Sequence, residues 1–533
     1  MTFHPDYDSD STLSDVPSEA EDQMQTGQGG PAGNKSTTST NLAVQVNKKR
    51  HRNENFAKKR RIAYQNARRE FITDLPPNCG SVTWEVRVRV QLDLFQDITT
   101  EYRKLKLERK KAQKAFKDGR GPQPPKDPIY RRTPTLEEIE SANSIVTDPK
   151  KFRLYDHGLV HMFDRKTTKE KEKRIIAEIK FTDLKTISDQ MREDLNFFLG
   201  FLHQSKKFVN TVGSESRSCG GYMWAIGWRK SMTHLEIVGR YVNSQAIKDN
   251  PDEFIQHVRD ADRASQILWD LFFPMGNKAL EANRQFMIEH NLPSFSDQVI
   301  PGTTPKEISP QADPDESTTD LSHPNPEVET DDCAPTTCNQ SVTPSRNEVP
   351  DTPAPINKNP SNDTTEAVAS TESVPHNEDG IPDTPELPHN KFFSSNLTFT
   401  SDGFYNHPHK DGRDDERLPF AFLLCVPTFK DTGLLAMESD GYDVKGGQFV
   451  FPQCAFGIDF KPDTMVQMIF DQRNYTHGTL KPEENGNFTK LGMSLQIARR
   501  TTNILDRVLL EEFVKDPKKF IADIPYILEK AEA

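Results

Sequence analysis

Between residues 92 and 117 the side chains Phe95, Ile98, Tyr102 and Leu105 recur at intervals of three and four, which predicts an amphipathic helix. A Pro-rich stretch at 121–128 ends it. Beyond residue 150 the pattern becomes that of a packed domain. Alternation over 175–181 predicts a strand, and 187–208 predicts a helix with Met191, Leu195, Phe198 and Leu202 on one face. The run GGYMWAIGWR at 220–229 predicts a buried strand, and helices are predicted over 254–275 and 279–290. The Met and aromatic stripes in these elements are core material. From residue 391 the periods shorten. Apolar runs at 397–400, 420–427, 448–451, 455–460, 465–470 and 491–498 are separated by turn residues such as Lys445-Gly446-Gly447 and Asn485-Gly486. Short strands at this spacing predict an antiparallel sandwich or barrel. Helices over 505–514 and 521–530 close the chain.

Residues 1–45 and 301–390 carry no such period. The second segment holds 16 prolines and no Phe, Tyr or Trp, too little apolar surface to offset chain entropy, so both are expected to be disordered. That accounts for a composition only 34% hydrophobic with a mean hydropathy of -0.74. The net charge of -12 hides a division. Residues 46–120 carry 21 Lys+Arg against 9 Asp+Glu, whereas 301–390 carry 3 against 18. The expected organisation is therefore an acidic tail (1–45), a basic arm with an amphipathic helix (46–125), a first globular part (150–300), an acidic insert (301–390) and a β-rich second part (391–533). Two basic clusters, Lys48–Arg52 and Lys58–Arg61, are of the kind read by a nuclear import receptor or by DNA phosphates, so a nuclear location is expected. The first residues have no basic-then-apolar signal pattern, and the longest apolar run, 420–426, is far short of a membrane span, so no membrane partner is expected. Six scattered cysteines suit a reducing compartment better than a disulfide framework.

Candidate chemistry lies in the β-rich part. His409 and Asp411 stand two apart, so in an extended segment both point the same way and can ligate one ion. His477 follows 68 residues after His409, just past a predicted strand. Two imidazoles and one carboxylate on one face leave three positions of an octahedral Fe(II) open, two for 2-oxoglutarate and one for O₂. On spacing alone these residues read equally well as ordinary loop histidines. His4-Pro5-Asp6 also fits the His-x-Asp pattern. A cation is needed for the far carboxylate of 2-oxoglutarate. A type I′ turn at Asn485-Gly486 would set His477 opposite Ser494, with Lys490 four residues along on the same face, roughly 13 Å away. Arg499 and Arg500 are competing candidates.

Three segments together carry a family resemblance: 404–411 (FYNHPHKD), the 446–450 strand (GGQFV) and 475–479 (YTHGT). They resemble the fungal branch of the Tet/J-binding-protein oxygenases, over roughly residues 150–505. The resemblance implies an α+β protein with a double-stranded β-helix (jelly-roll) core and flanking helices. It implies Fe(II) and 2-oxoglutarate as cofactors, with His409, Asp411 and His477 as catalytic iron ligands and Lys490 binding 2-oxoglutarate. Lys490 stands where most members carry arginine, and lysine is a point charge that cannot make the bidentate pair. Gln496 and Ala498 stand where animal members place a base-contacting tyrosine and histidine, and the zinc-bearing cysteine-rich region of those members is missing. The implied function is oxidation of 5-methylcytosine in DNA to 5-hydroxymethylcytosine, with methylated DNA as partner. The alternatives are the same chemistry on thymine, an RNA base or a protein, or an inactive nucleic-acid-binding module related to mobile elements.

Overall fold

A computed structural model of the chain describes residues 72–77, 82–125, 127–165, 175–212, 218–231, 235–301, 392–513, 516 and 518–532. The tail, both basic clusters and the acidic insert lie outside the described residues. The helices are α1 (Gln96–Lys117), α2 (Leu136–Thr147), α3 (Asp189–Phe208), α4 (Ser244–Asp249), α5 (Pro251–Glu289), α6 (Arg499–Leu509) and α7 (Ile524–Glu532). The first eight strands are β1 (Val82–Arg87), β2 (Arg153–Tyr155), β3 (Leu159–Asp164), β4 (Ile175–Asp183), β5 (Gly220–Lys230), β6 (Glu236–Arg240), β7 (Asn396–Tyr405) and β8 (Ala421–Phe429). The remainder are β9 (Val444–Gly446), β10 (Phe449–Phe451), β11 (Phe456–Ile458), β12 (Thr464–Phe470), β13 (Gly478–Thr479), β14 (Pro482–Glu484), β15 (Phe488–Gln496) and β16 (Phe520–Ile521).

Ten strands form one sheet in the order β1-β3-β4-β12-β8-β15-β7-β5-β6-β16, and β13-β10-β11-β2 form a smaller one. The large sheet draws strands from both sides of the acidic insert, so the 150–300 and 391–533 parts are one unit. It is covered on both faces, which is why β8 reads as an unbroken apolar run. Phe422, Leu424 and Val426 pack with Leu195 and Phe198 of α3 and with Leu268 and Phe272 of α5. Ala421, Leu423 and Cys425 turn the other way, toward Phe449, Phe451 and Phe456 of the small sheet. Each such ring contributes roughly 1.5–3 kcal/mol on burial. This is the mixed α+β, jelly-roll architecture expected from the sequence.

Three expectations change. The helices predicted over 254–275 and 279–290 are one element, α5, broken inside by Pro274 and by Gly276 at φ −149, ψ 48. Proline removes an intrahelical donor there, and the two halves stay close enough to share the core. The described part of the basic arm, from Val82 onward, is not separate from the domain. β1 pairs parallel with β3, and Trp84 stacks on His161 at 4.3 Å. Its signal was present: Val82, Trp84, Val86, Val88 and Val90 alternate with period two. The turn at Asn485-Gly486 does not close a hairpin. β14 pairs with β9, while β15 crosses over to lie between β8 and β7, so Ser494 faces Leu423 and Thr398 rather than His477. Pro482 donates no ladder bond, and in a two-sheet roll the chain changes sheet at such corners.

Candidate metal centre

His409 ends the segment after β7, and His477 immediately precedes β13. The two pair through their backbones: His409 N–H donates to His477 O at 2.7 Å and His477 N–H to His409 O at 2.9 Å. Asp411 N–H donates to Gln472 O at 3.0 Å, a third stitch between the same two segments. Glycine at 478 permits this approach, because a Cβ there would lie 2.9 Å from Pro408 Cα. The three side chains converge. Among the described residues, the one cluster of three potential metal ligands is His409, Asp411 and His477, with ligand atoms all within 4.8 Å of one another. Asp411 Oδ1 lies 3.4 Å from His409 Nε2, and Oδ2 lies 3.2 Å from His477 Nε2.

The imidazoles are held in one tautomer by a shared device. His409 Nδ1 meets the carbonyl of His407 at 2.9 Å, and His477 Nδ1 meets that of Tyr475 at 3.0 Å. A carbonyl has no proton to give, so each Nδ1 carries a hydrogen. Each Nε2 is the nitrogen turned toward the cluster, able to offer its lone pair to an ion in place of the proton it shares with Asp411. Burial favours neutral His409, but the Asp411 carboxylate beside it more than offsets this and raises its pKa. Burial likewise opposes charge on Asp411, yet its hydrogen bonds to His409 and His477 hold it well below the usual carboxylate range. A half-buried carboxylate and two imidazole nitrogens turned inward are the donor set that a divalent cation completes. His477 is walled by apolar rings: Phe449 stacks on it at 5.7 Å, and Phe470 meets it edge-on at 5.0 Å.

Lys490 points into the space between the sheets, on the same face of β15 as Gly492 and Ser494. Only 8% of it is exposed. Its ammonium donates to Gly447 O and sits 4.2 Å from the centre of the Phe460 ring. Among the described residues it has no ion-pair partner, and burial lowers its pKa. A buried ammonium with donors to spare is short of an anion. Gly447, at φ +65, allows the contact, since a Cβ there would stand 2.6 Å from the Lys490 nitrogen. Arg499 and Arg500 are elsewhere, exposed at the start of α6, with Arg499 3.8 Å from Glu416. Gln496 accepts from Ser494 Oγ at 3.1 Å, and Ala498 bridges to Asp414.

Sequence reasoning did not find the two carbonyls that orient the imidazoles, nor Phe449. A faint signal existed for the first, since each carbonyl belongs to the residue two before its histidine.

Residues 188–309 and 358–482 match the model of the Tet-like 2OG-Fe(II) oxygenase superfamily. Over these two segments the chain is similar to that superfamily. Enzymes of that superfamily take Fe(II) and 2-oxoglutarate as cofactors. The match includes all three clustered residues and ends before Lys490. No curated protein matches the chain. Among solved structures, NgTET1 in complex with 5mC DNA is 15% identical, with TM-score 0.15, over 21% of this chain and 37% of that one. The viral collagen prolyl hydroxylase vCPH of Paramecium Bursaria Chlorella virus-1, solved with 2OG, is 21% identical, with TM-score 0.13, over 19% of this chain and 58% of that one. A 2OG-Fe(II) oxygenase family oxidoreductase from Burkholderia pseudomallei is 15% identical, with TM-score 0.14, over 20% of this chain and 46% of that one. The matched parts thus span less than two thirds of each of these proteins. Among the described residues no helix is long and apolar enough to cross a membrane.

Proposed function

We propose that this Tet-like oxygenase oxidises 5-methylcytosine in DNA to 5-hydroxymethylcytosine, with His409, Asp411 and His477 as the iron ligands and Lys490 as the 2-oxoglutarate anchor. The observation that carries the metal assignment is the convergence of three ligand atoms within 4.8 Å, with both imidazoles locked so that Nε2 faces inward. The family match supports the base as substrate, and the cationic flank described below supports nucleic acid as partner.

Fe(II) with 2-oxoglutarate and O₂ supplies the oxidising power that turns a methyl C–H into C–OH. The chain's own residues bind and orient. His409, Asp411 and His477 would hold the ion. Lys490 neutralises the distal carboxylate from the roll's interior. Phe449, Phe451 and Phe470 line the side of His477 and keep bulk water from it. Small side chains, Gly492 and Ser494 on β15 with their register partners Thr400 and Thr398 on β7, share the face of Lys490. The methyl group of a paired 5-methylcytosine projects into the major groove from a stacked base, so the base has to leave the duplex to reach the cluster. A nuclear location, from the clusters at 48–52 and 58–61, belongs to the same proposal. A fluorescent fusion that stays outside the nucleus would remove it.

The test is to incubate the protein with Fe(II), 2-oxoglutarate and duplexes carrying 5-methylcytosine or only unmethylated bases, and with methylated RNA. Digested products are then read by mass spectrometry. 5-Hydroxymethylcytosine from the methylated duplex, absent with His409→Ala, is expected. Oxidised thymine or RNA base in its place would move the substrate and keep the class. That outcome is the one favoured by Gln496 and Ala498 standing where animal members place base-contacting residues.

A further inference from the structure

We infer that α1 is a docking surface for the phosphate backbone of duplex DNA, rooted on the loop that carries His409. On a helix of 3.6 residues per turn, Arg103, Lys104, Lys106, Lys110, Lys111, Lys114 and Lys117 fall within an arc of about 160°. No carboxylate within the helix shares that arc: Asp97, Glu101 and Glu108 fall outside it, and Asp118, at the C-cap, is paired with Arg120 at 2.5 Å. Six of the seven cations are exposed, and Lys106 is half-buried over the Tyr102 ring at 5.0 Å. Among the described residues none of the seven has an ion-pair partner. An ordinary solvated helix intersperses both signs and pairs them at i, i+4. A one-signed face with nothing to neutralise it fits a polyanion. Its length, about 21 Å from Arg103 to Lys117 at 1.5 Å per residue, suits a rigid strip of duplex phosphates.

The root of the helix joins this face to the metal cluster. Ile98 is buried in a core with Phe95, Val146, Phe152 and Leu480. The Phe95 ring meets His407 edge-on at 5.5 Å. Arg131, whose guanidinium lies 5.4 Å from the Tyr102 ring centre, donates to Pro408 O at 2.8 Å. His407 Nε2 donates to Arg132 O at 2.8 Å, and Arg132 in turn donates to Glu101 of α1 at 2.9 Å. So the first two turns of α1 hold the 407–408 segment, whose own carbonyl orients His409. A duplex lying along the outer turns is thereby placed against the loop of the iron ligands. The inference deepens the reading of the substrate as DNA, and its test needs no iron.

The experiment is equilibrium binding of the full-length protein to a labelled unmethylated duplex of about 20 base pairs, across roughly 50–200 mM salt. Wild type is compared with the combined Lys110→Gln, Lys111→Gln, Lys114→Gln and Lys117→Gln variant, and with Lys→Arg at the same positions. Expected is a fall in the salt slope by about 3–4, from about 0.9 per phosphate contact, and binding at least about tenfold weaker at mid-range. The Arg variant should keep both. Because the four residues are exposed, circular dichroism should be unchanged. An unchanged slope and affinity in the Gln variant would overturn the inference, as would tighter binding of single-stranded RNA than of duplex. Oxidised base formed by a protein whose slope ignores these substitutions keeps the chemistry and removes the helix. Duplex bound through α1 with no oxidised base keeps the helix and removes the chemistry.

Discussion

Lys490 and Gly478 bear the most consequence for their size. The Lys490 ammonium is buried, donates to Gly447 O and lacks a carboxylate partner among the described residues. Removing a buried charge from an ion pair costs about 2–5 kcal/mol. Lys490→Ala is therefore expected to raise the KM for 2-oxoglutarate by more than about tenfold, with Fe(II) affinity little changed. Steady-state succinate formation and metal titration read the two effects apart. Gly478 lets the two ligand-bearing segments touch. Alanine there puts a Cβ 2.9 Å from Pro408 Cα, which is backbone and cannot swing aside. Gly478→Ala is expected to separate His409 from His477 and weaken Fe(II) binding by about tenfold or more, the scale on which orienting groups act. A near-normal metal affinity in that variant would mean that the segments tolerate the gap.

Among the elements, the long helix α5 shows how the break at 274–276 is used. Gly276 sits against Ile469 of β12, and a Cβ would come 2.2 Å from Ile469 Cδ1. That atom is the far end of a flexible side chain, so the strain can be relieved. Gly276→Val should destabilise by about 1–3 kcal/mol through overpacking, and Ile469→Val in the same chain should recover part of it. Thermal unfolding of the two single variants and the double one measures the coupling. The elements also show what was legible in the sequence. α3, β5, β8 and β12 follow from their apolar runs, because period and length fix both type and facing. The clustering of His409 with Asp411 follows from the i, i+2 rule. Less was legible where a partner far along the chain decides the outcome. The Asn485-Gly486 turn carries a hairpin signal, yet β14 and β15 part to different sheets because their best partners are β9 and β8. α2 was missed although Thr135 and Glu138 form a capping box, the one local mark of its start.

At the scale of the whole molecule, the acidic insert interrupts a sheet that closes without it. Phe295 N–H donates to Ser394 O at 3.1 Å, and Asn283 donates to Phe393 O at 3.1 Å, so the chain leaves and returns at neighbouring points. Replacing 305–388 with a short Gly/Ser linker should leave the thermal transition within a few degrees of the parent. A large loss of cooperativity would show that the insert is part of the core.

The proposed oxygenase chemistry requires His409, Asp411 and His477 to hold one ion between them. Anaerobic titration of the full-length protein with Fe(II) in the presence of 2-oxoglutarate tests that most directly. One ion per chain is predicted, with affinity reduced by more than about tenfold in each of His409→Ala, Asp411→Ala and His477→Ala. Tight binding that survives all three substitutions, or no binding by the parent protein, would contradict it.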